Sequence, residues 1–423
     1  MKKKARNRGR LGKNLWTEGR QGEPIRIYAA FNELDEARFV VERIEAWLAQ
    51  GNPRRSVALL YRANAQSRVL EEALLRARMP YRVYGGLRFF ERAEIKDALG
   101  YLRLLANRHD DTGFERVVNT PTRGIGERTL EQVRGYARAQ GCSLWSATAA
   151  LLAAGSLGSR ASNALRGFTE LIDRLAAESA SLALHEQVEQ ALQQSGLLER
   201  LEREPAEKAQ ARLENLNELV SAARECIDEA EESEDALTGF LAHAALESGE
   251  RQADAFEDCV QLMTLHSAKG LEFPLVFLCG MEEGLFPHQM SVNDPKRLEE
   301  ERRLCYVGMT RAMRQLYFCY AEQRRLHGRD NFGAPSRFIT ELPREYLEEV
   351  RLRGSVSIPL SRRHVEEPGA QAFALGQRVN HPKFGEGVVL NWEGQGDQAR
   401  VQVNFQAVGS KWLVAAYARL QAV

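Results

Sequence analysis

The sequence predicts an α/β protein: one parallel-sheet domain split by an all-helical insertion, followed by a small β-barrel. Three observations carry this. Short apolar runs alternate with amphipathic stretches before residue 87 and again after residue 256. Between those points Leu- and Ala-rich stretches with Glu, Gln and Arg dominate, and no convincing strand pattern occurs. Residues 373–423 change character again, to short strand-like runs broken by glycines.

Taken in order, residues 1–20 hold eight Lys or Arg and one acid. Such a segment neutralises phosphates or simply stays solvated. Ile25–Ala30 is a short apolar run, and residues 33–50 carry Leu34, Ala37, Val41, Ile44 and Leu48 at helical spacing. Val57–Tyr61 reads as a buried strand, 66–78 as a helix and Tyr81–Tyr84 as a third strand. Strands separated by helices imply a parallel sheet covered on both faces. After the insertion, alternation resumes with Val260–Leu265, Leu275–Cys279, a helix over about 296–309, and Leu316–Tyr320. The expected domains are 1–86 and 257–343 as two pieces of one sheet domain, with 87–256 as the insertion. Residues 344–372, charged and then rich in Pro, Ser and Gly, are expected to be a linker. In 373–423, Ala399–Phe405 alternates with a period of two, as a small barrel requires.

Composition excludes several classes. The chain is 44% hydrophobic and 27% charged, ordinary for a globular protein. No apolar run approaches the roughly 18 residues of a membrane-spanning helix, and Met1-Lys-Lys-Lys lacks the apolar core of a secretory signal. The six cysteines form no CxxC pair. That argues against a zinc site or a disulfide framework and fits a reducing, cytoplasmic setting. Net charge is zero, so bulk charge does not announce a nucleic-acid partner.

Chemistry concentrates in three segments. Gln261–Leu278 runs a strand into a polar turn, His266-Ser-Ala-Lys-Gly270, then Glu272 and a second strand. Polar groups here are expected at a strand's C-terminal end, where open α/β sheets bind ligands. Leu298–Ala312 carries Arg311, which taken alone is an arginine near a helix end. Thr122-Arg-Gly-Ile-Gly126 opens a helix-turn-helix-like hairpin. Its glycines let a backbone approach a phosphate; a tight interhelical turn is the plain alternative.

The first two of these segments resemble motifs V and VI of the UvrD/PcrA/Rep group of superfamily 1 DNA helicases, and Val57–Arg68, Gly85–Lys96 and Asn119–Gly126 resemble others. The resemblance covers essentially the whole chain and rests on several long motifs in order. It implies that the sheet domain is RecA-like and the barrel SH3/Tudor-like. It implies ATP with Mg²⁺ as the nucleotide, with Arg311 as an arginine finger on the γ-phosphate and Glu272 on the ribose. It places Arg62, Asn64, His266 and His288 on a single-stranded DNA path, with His327 where relatives often carry an aromatic. It assigns Thr122, Gly124, Ile125 and Gly126 to duplex DNA. It points the barrel at RNA polymerase or nucleotide-excision repair proteins, with Trp392 and Trp412 as anchors or as plain barrel core. The implied activity is ATP-dependent 3′-to-5′ unwinding in nucleotide excision and mismatch repair.

No Gly-x-x-x-x-Gly-Lys-Ser/Thr phosphate loop occurs, and no apolar strand ends in a metal-binding Asp-Glu pair. The chain is therefore expected to begin partway through its RecA-like domain, to lack the phosphate-holding half, to contribute no metal ligands and to be inactive alone as an ATPase. The alternative is a non-catalytic DNA-binding or adaptor protein derived from such a helicase.

Overall fold

A computed structural model describes residues 22–229, 235–249, 257–326, 329–350, 378–382, 384–393, 400–405, 409–414 and 420–422. The chain divides into two units, 1–353 and 354–423.

The first unit opens with β1 (Ile25–Ala30), α1 (Glu33–Ala49), β2 (Val57–Tyr61), α2 (Ser67–Arg76) and β3 (Tyr81–Val83). The insertion follows: α3 (Ala93–Ala106), α4 (Asp111–Val117), α5 (Glu127–Gln140), α6 (Leu144–Ala153), α7 (Ser159–Ser179), α8 (Leu184–Gln194), α9 (Leu197–Glu202), α10 (Ala206–Glu229) and α11 (Ala236–Gly249). The sheet resumes with β4 (Val260–Thr264), β5 (Phe273–Leu278), α12 (Gln289–Val292), α13 (Pro295–Met309) and β6 (Ala312–Ala321). A hairpin, β7 (Gln323–Leu326) and β8 (Arg329–Phe332), then α14 (Arg337–Thr340) and β9 (Leu347–Glu349) complete the unit.

Seven strands form one sheet in the order β3-β4-β2-β5-β6-β1-β9. Every pairing in it is parallel. The central strand β2 shows why its sequence is a continuous apolar run. Val57, Leu59 and Tyr61 join the cluster with Phe39, Val40, Trp47 and Leu74 under α1 and α2. Ala58 and Leu60 join the opposite cluster with Met263, Leu304, Cys305 and Phe318. Alternate side chains face opposite ways, so a sheet covered on both faces needs apolar residues at every position.

The strand at the far edge departs from expectation. Residues 344–372 read as a linker, yet Leu347–Glu349 pairs with Ile25–Ile27. A short charged strand leaves almost no apolar signal, and charge is what protects a sheet edge from further pairing. The Glu348 carboxylate meets Arg26 at 3.6 Å.

In the insertion, the described residues are helical with no strand, and they share one core that includes Phe89, Tyr101, Phe114, Phe168, Leu219 and Phe240. The seam between insertion and sheet domain is polar. Arg68 on α2, 1% exposed, pairs with Glu72 at 2.7 Å and with Glu218 and Glu225 of α10 at 2.7 and 2.9 Å. Burial pushes the Glu218 carboxyl up to about 7, although Arg68 pulls the other way.

The second unit is an antiparallel five-stranded sheet: β10 (Arg378–His381), β11 (Gly385–Glu393), β12 (Arg400–Phe405), β13 (Gly409–Val414) and β14 (Gln421–Ala422). Its order is β13-β12-β11-β10-β14, around Val379, Val389, Val401, Val403 and Phe405. A register shift lies between Val389 and Asn391 of β11, the kind of irregularity by which small antiparallel sheets curve. The side chains of Trp392 and Trp412 lie outside the described part.

Candidate functional site

Because all seven strands run the same way, their C-terminal ends share one edge. Arg62 and Asn64 follow β2, His266 follows β4, and the loop ending at His288 follows β5. Glu272 and Arg311 lie elsewhere. Glu272 immediately precedes β5 and Arg311 immediately precedes β6, so both sit at the N-terminal edge. The expectation that Glu272 shares the C-terminal end with His266 is therefore corrected. Strands β4 and β5 are parallel, so the chain between them must return to the opposite edge before β5 begins. At about 3.3 Å per residue, a five- or six-residue strand separates the two edges by roughly 17–20 Å.

At the N-terminal edge, Arg311 is held by neutral acceptors. Its Nε donates to the Val307 carbonyl at 3.0 Å and its Nη1 to the Leu271 carbonyl at 2.6 Å. Its Nη2 donates to the Thr310 hydroxyl at 3.0 Å. Among the described residues it has no ion-pair partner. The backbone locks the same junction, since the Phe273 N–H donates to the Arg311 carbonyl at 2.8 Å. Glu272 is exposed between Leu271 and Phe273. The result is an oriented guanidinium without a carboxylate and an exposed carboxylate on the adjoining loop. The guanidinium can pair with an anion and the carboxylate can accept from a hydroxyl.

At the C-terminal edge the sequence-selected residues divide. His266 and Asn64 are exposed. Arg62 is committed: its Nε and Nη2 grip both oxygens of Glu301 on α13 at 2.7–3.0 Å. Glu301 is 6% exposed and also accepts the His288 N–H at 3.2 Å. His288 caps α12 and meets Glu214 of α10 at 3.1 Å. Burial pushes the Glu214 carboxyl up, but hydrogen bonds from His288 and Gln210 outweigh it and hold the group below the usual range. Arg62 and His288 thus belong to one chain of contacts from the sheet through α13 to the insertion. Nothing in the sequence marks Glu301 and Glu214 as partners, because they lie 239 and 74 residues away from theirs. His327 lies outside the described residues.

The loop carrying His288 has its own anchor. Buried Arg324 on β7 pairs with Glu36 of α1 and with Glu282 at 2.7 Å. The Gly280 N–H donates to Glu36 at 2.8 Å. Gly280 has φ +68°, and a Cβ there would collide with the Gln66 amide. Only glycine fits that turn.

In the insertion, the turn before α5 exposes Thr122, Gly124 and Gly126. Ile125 does not belong with them. It is 1% exposed, packs in the helical core, and its N–H is taken by the Asn119 side chain at 3.3 Å. Its side chain faces the helical core and anchors the turn, unlike those of its exposed neighbours. Arg123 is also internal, donating to the carbonyls of Val117, Pro121 and Ser195 at 2.9–3.1 Å.

Among the described residues, Glu72, His243 and Glu247 bring three ligand-type atoms within 4.8 Å of one another. They sit on α2 and α11, and Glu72 already accepts from Arg68. No helix among the described residues is long and apolar enough to cross a membrane.

Comparison with known proteins agrees with this architecture. Residues 2–323 match the UvrD-like helicase C-terminal domain, and residues 375–421 the PcrA/UvrD tudor domain. The chain is 60% identical to DNA helicase II of Escherichia coli over 99% of its own length and 58% of that protein's. Identity is 53% to DNA helicase II of Haemophilus influenzae, over 99% of this chain and 58% of the relative. Against the ATP-dependent DNA helicase PcrA of Bacillus subtilis it is 40%, over 98% and 59%. The chain therefore spans somewhat more than half the length of these relatives. With a matching domain over most of its residues and these identities, the chain belongs to the UvrD-like helicase family.

Proposed function

We propose that this chain is the finger-supplying and strand-tracking part of an ATP-dependent 3′-to-5′ DNA helicase acting in nucleotide excision and mismatch repair. The observation that carries the proposal is Arg311, a cation held in place with no ion-pair partner among the described residues, on the edge that also exposes Glu272. ATP with Mg²⁺ supplies the phosphoanhydride bond whose hydrolysis drives the cycle. Arg311 would stabilise charge on the γ-phosphate, and Glu272 would accept a ribose hydroxyl. The phosphate cradle and the metal ligands would come from another RecA-like domain, because the 423 residues contain no phosphate loop.

A single DNA strand would cross the opposite edge at Asn64 and His266, with Arg62 and His288 holding that edge in shape. Closure of two RecA-like domains on nucleotide is the ligand-driven motion that would move it. The turn Thr122–Gly126 would grip duplex phosphates, and the barrel would dock RNA polymerase or excision-repair proteins. The test is binding to a fluorescent duplex with a 3′ single-stranded tail. His266→Ala should weaken binding to the tail and spare the blunt duplex. Substitution at Gly124 should do the reverse. Identical effects of both variants on both DNAs would contradict the proposal.

A further inference from the structure

We propose that Tyr84 is a base-stacking residue of the single-strand path, one strand farther along the sheet edge than His266. The inference rests on that edge being the DNA face. Strands β3 and β4 are neighbours, and the Tyr84 N–H donates to the Leu262 carbonyl at 2.7 Å. Tyr84-Gly-Gly-Leu87 therefore leaves the sheet beside the His266 turn. The two turns touch: Gly85 has φ +73°, and a Cβ there would stand 3.5 Å from the Ser267 hydroxyl. Ser267 is itself fixed by Thr264, hydroxyl to hydroxyl at 3.0 Å.

Exposure separates Tyr84 from the other tyrosines of these strands. Tyr61 is 0% and Tyr81 5% exposed, whereas Tyr84 is 43% and Leu87 55%. A flat amphipathic ring and an aliphatic side chain thus stand open next to His266. Lys269, exposed in the adjoining turn, supplies a cation for the strand's backbone. Across the edge the order is Tyr84 after β3, His266 after β4, and Asn64 after β2, with neighbouring strands about 4.8 Å apart. A cation with an aromatic face is how proteins hold a single strand regardless of sequence, since every base has a π-face. Tyrosine gives that face at low rotamer cost.

The test uses the 423-residue chain and two fluorescent oligomers, oligothymidylate and an abasic strand with the same backbone. Tyr84→Ala should weaken oligothymidylate binding by about five- to 150-fold and leave abasic binding unchanged. Tyr84→Phe should bind like the parent, which separates stacking from a folding defect. Equal weakening on both strands would show a merely structural role and overturn the proposal. Parent-like binding by Tyr84→Ala, with His266→Ala weakened, would overturn it while leaving the DNA edge standing. No effect of either variant would remove the edge reading as well.

Discussion

Arg311 is stitched to Leu271. The guanidinium donates to the Leu271 carbonyl at 2.6 Å, and one residue beyond Glu272 the Phe273 N–H returns a bond to the Arg311 carbonyl at 2.8 Å. Arg311 and Glu272 are thus parts of one cross-linked corner where β5 and β6 begin. In a helicase completed by an N-terminal RecA-like domain, Glu272→Ala should raise KM for ATP about tenfold, the loss of one charge-assisted hydrogen bond, with kcat nearly unchanged. A fall in kcat at constant KM would place Glu272 in the chemistry instead.

Arg62 holds a buried carboxylate. Among the described residues, Arg62→Ala leaves Glu301 with the His288 N–H as its remaining hydrogen bond, and it should cost about 2–4 kcal/mol in urea unfolding. Glu301→Gln, which keeps an acceptor, should cost less. A direct phosphate contact by Arg62 would show separately, as a salt slope for single-strand binding that is shallower by about 0.7 in the Arg62 variant. An unchanged melting curve for Arg62→Ala would refute the anchoring role.

Ile125 and Gly124 should separate cleanly. Ile125→Ala opens a cavity in the helical core and should cost about 2–4 kcal/mol of stability, with duplex affinity of the folded chain retained. Gly124 has φ +81° on the exposed turn, so Gly124→Val strains the backbone. It should reduce duplex affinity much more than single-strand affinity. The opposite pattern, lost binding for Ile125→Ala in a fully folded protein, would return Ile125 to the DNA face.

Glu218 sets a pH dependence. Its folded-state pKa of about 7 lies above the ordinary carboxylate value of 4.5. The protonated form favours the fold, so stability is fully present below about pH 4.5 and declines as pH rises toward 7. Glu218→Gln should therefore match the parent at pH 4.5 and exceed it at pH 8 by on the order of 2–3 kcal/mol. A stability difference independent of pH would contradict the burial argument.

Periodicity made the sheet and its interruption legible, because a strand buried on both faces and an amphipathic helix leave different apolar spacings. Strand β9 was not legible: Leu347-Glu-Glu349 has one apolar residue and is an edge. The motif residues were legible only as a set. Arg311 looks like any surface arginine until Leu271, 40 residues earlier in sequence, is found holding it. Pairings such as Arg62 with Glu301 and Arg68 with Glu218 were not readable, since ion pairs across a fold carry no local pattern. The position of Glu272 failed for a different reason. The turn after β4 looks like a C-terminal ligand loop, but parallel order obliges its far end to reach the other edge.

In the proposed function Arg311 acts on a nucleotide held by a separate RecA-like domain. The direct measurement is DNA-stimulated ATP hydrolysis by the 423-residue chain, alone and after addition of an N-terminal RecA-like domain from a UvrD relative. The chain alone should be at background. The completed pair should hydrolyse ATP, and Arg311→Ala should reduce kcat by roughly 10³-fold or more, the scale of an arginine finger in phosphoryl transfer. DNA-dependent hydrolysis by the chain alone, or full activity of the completed pair with Arg311→Ala, would contradict the claim.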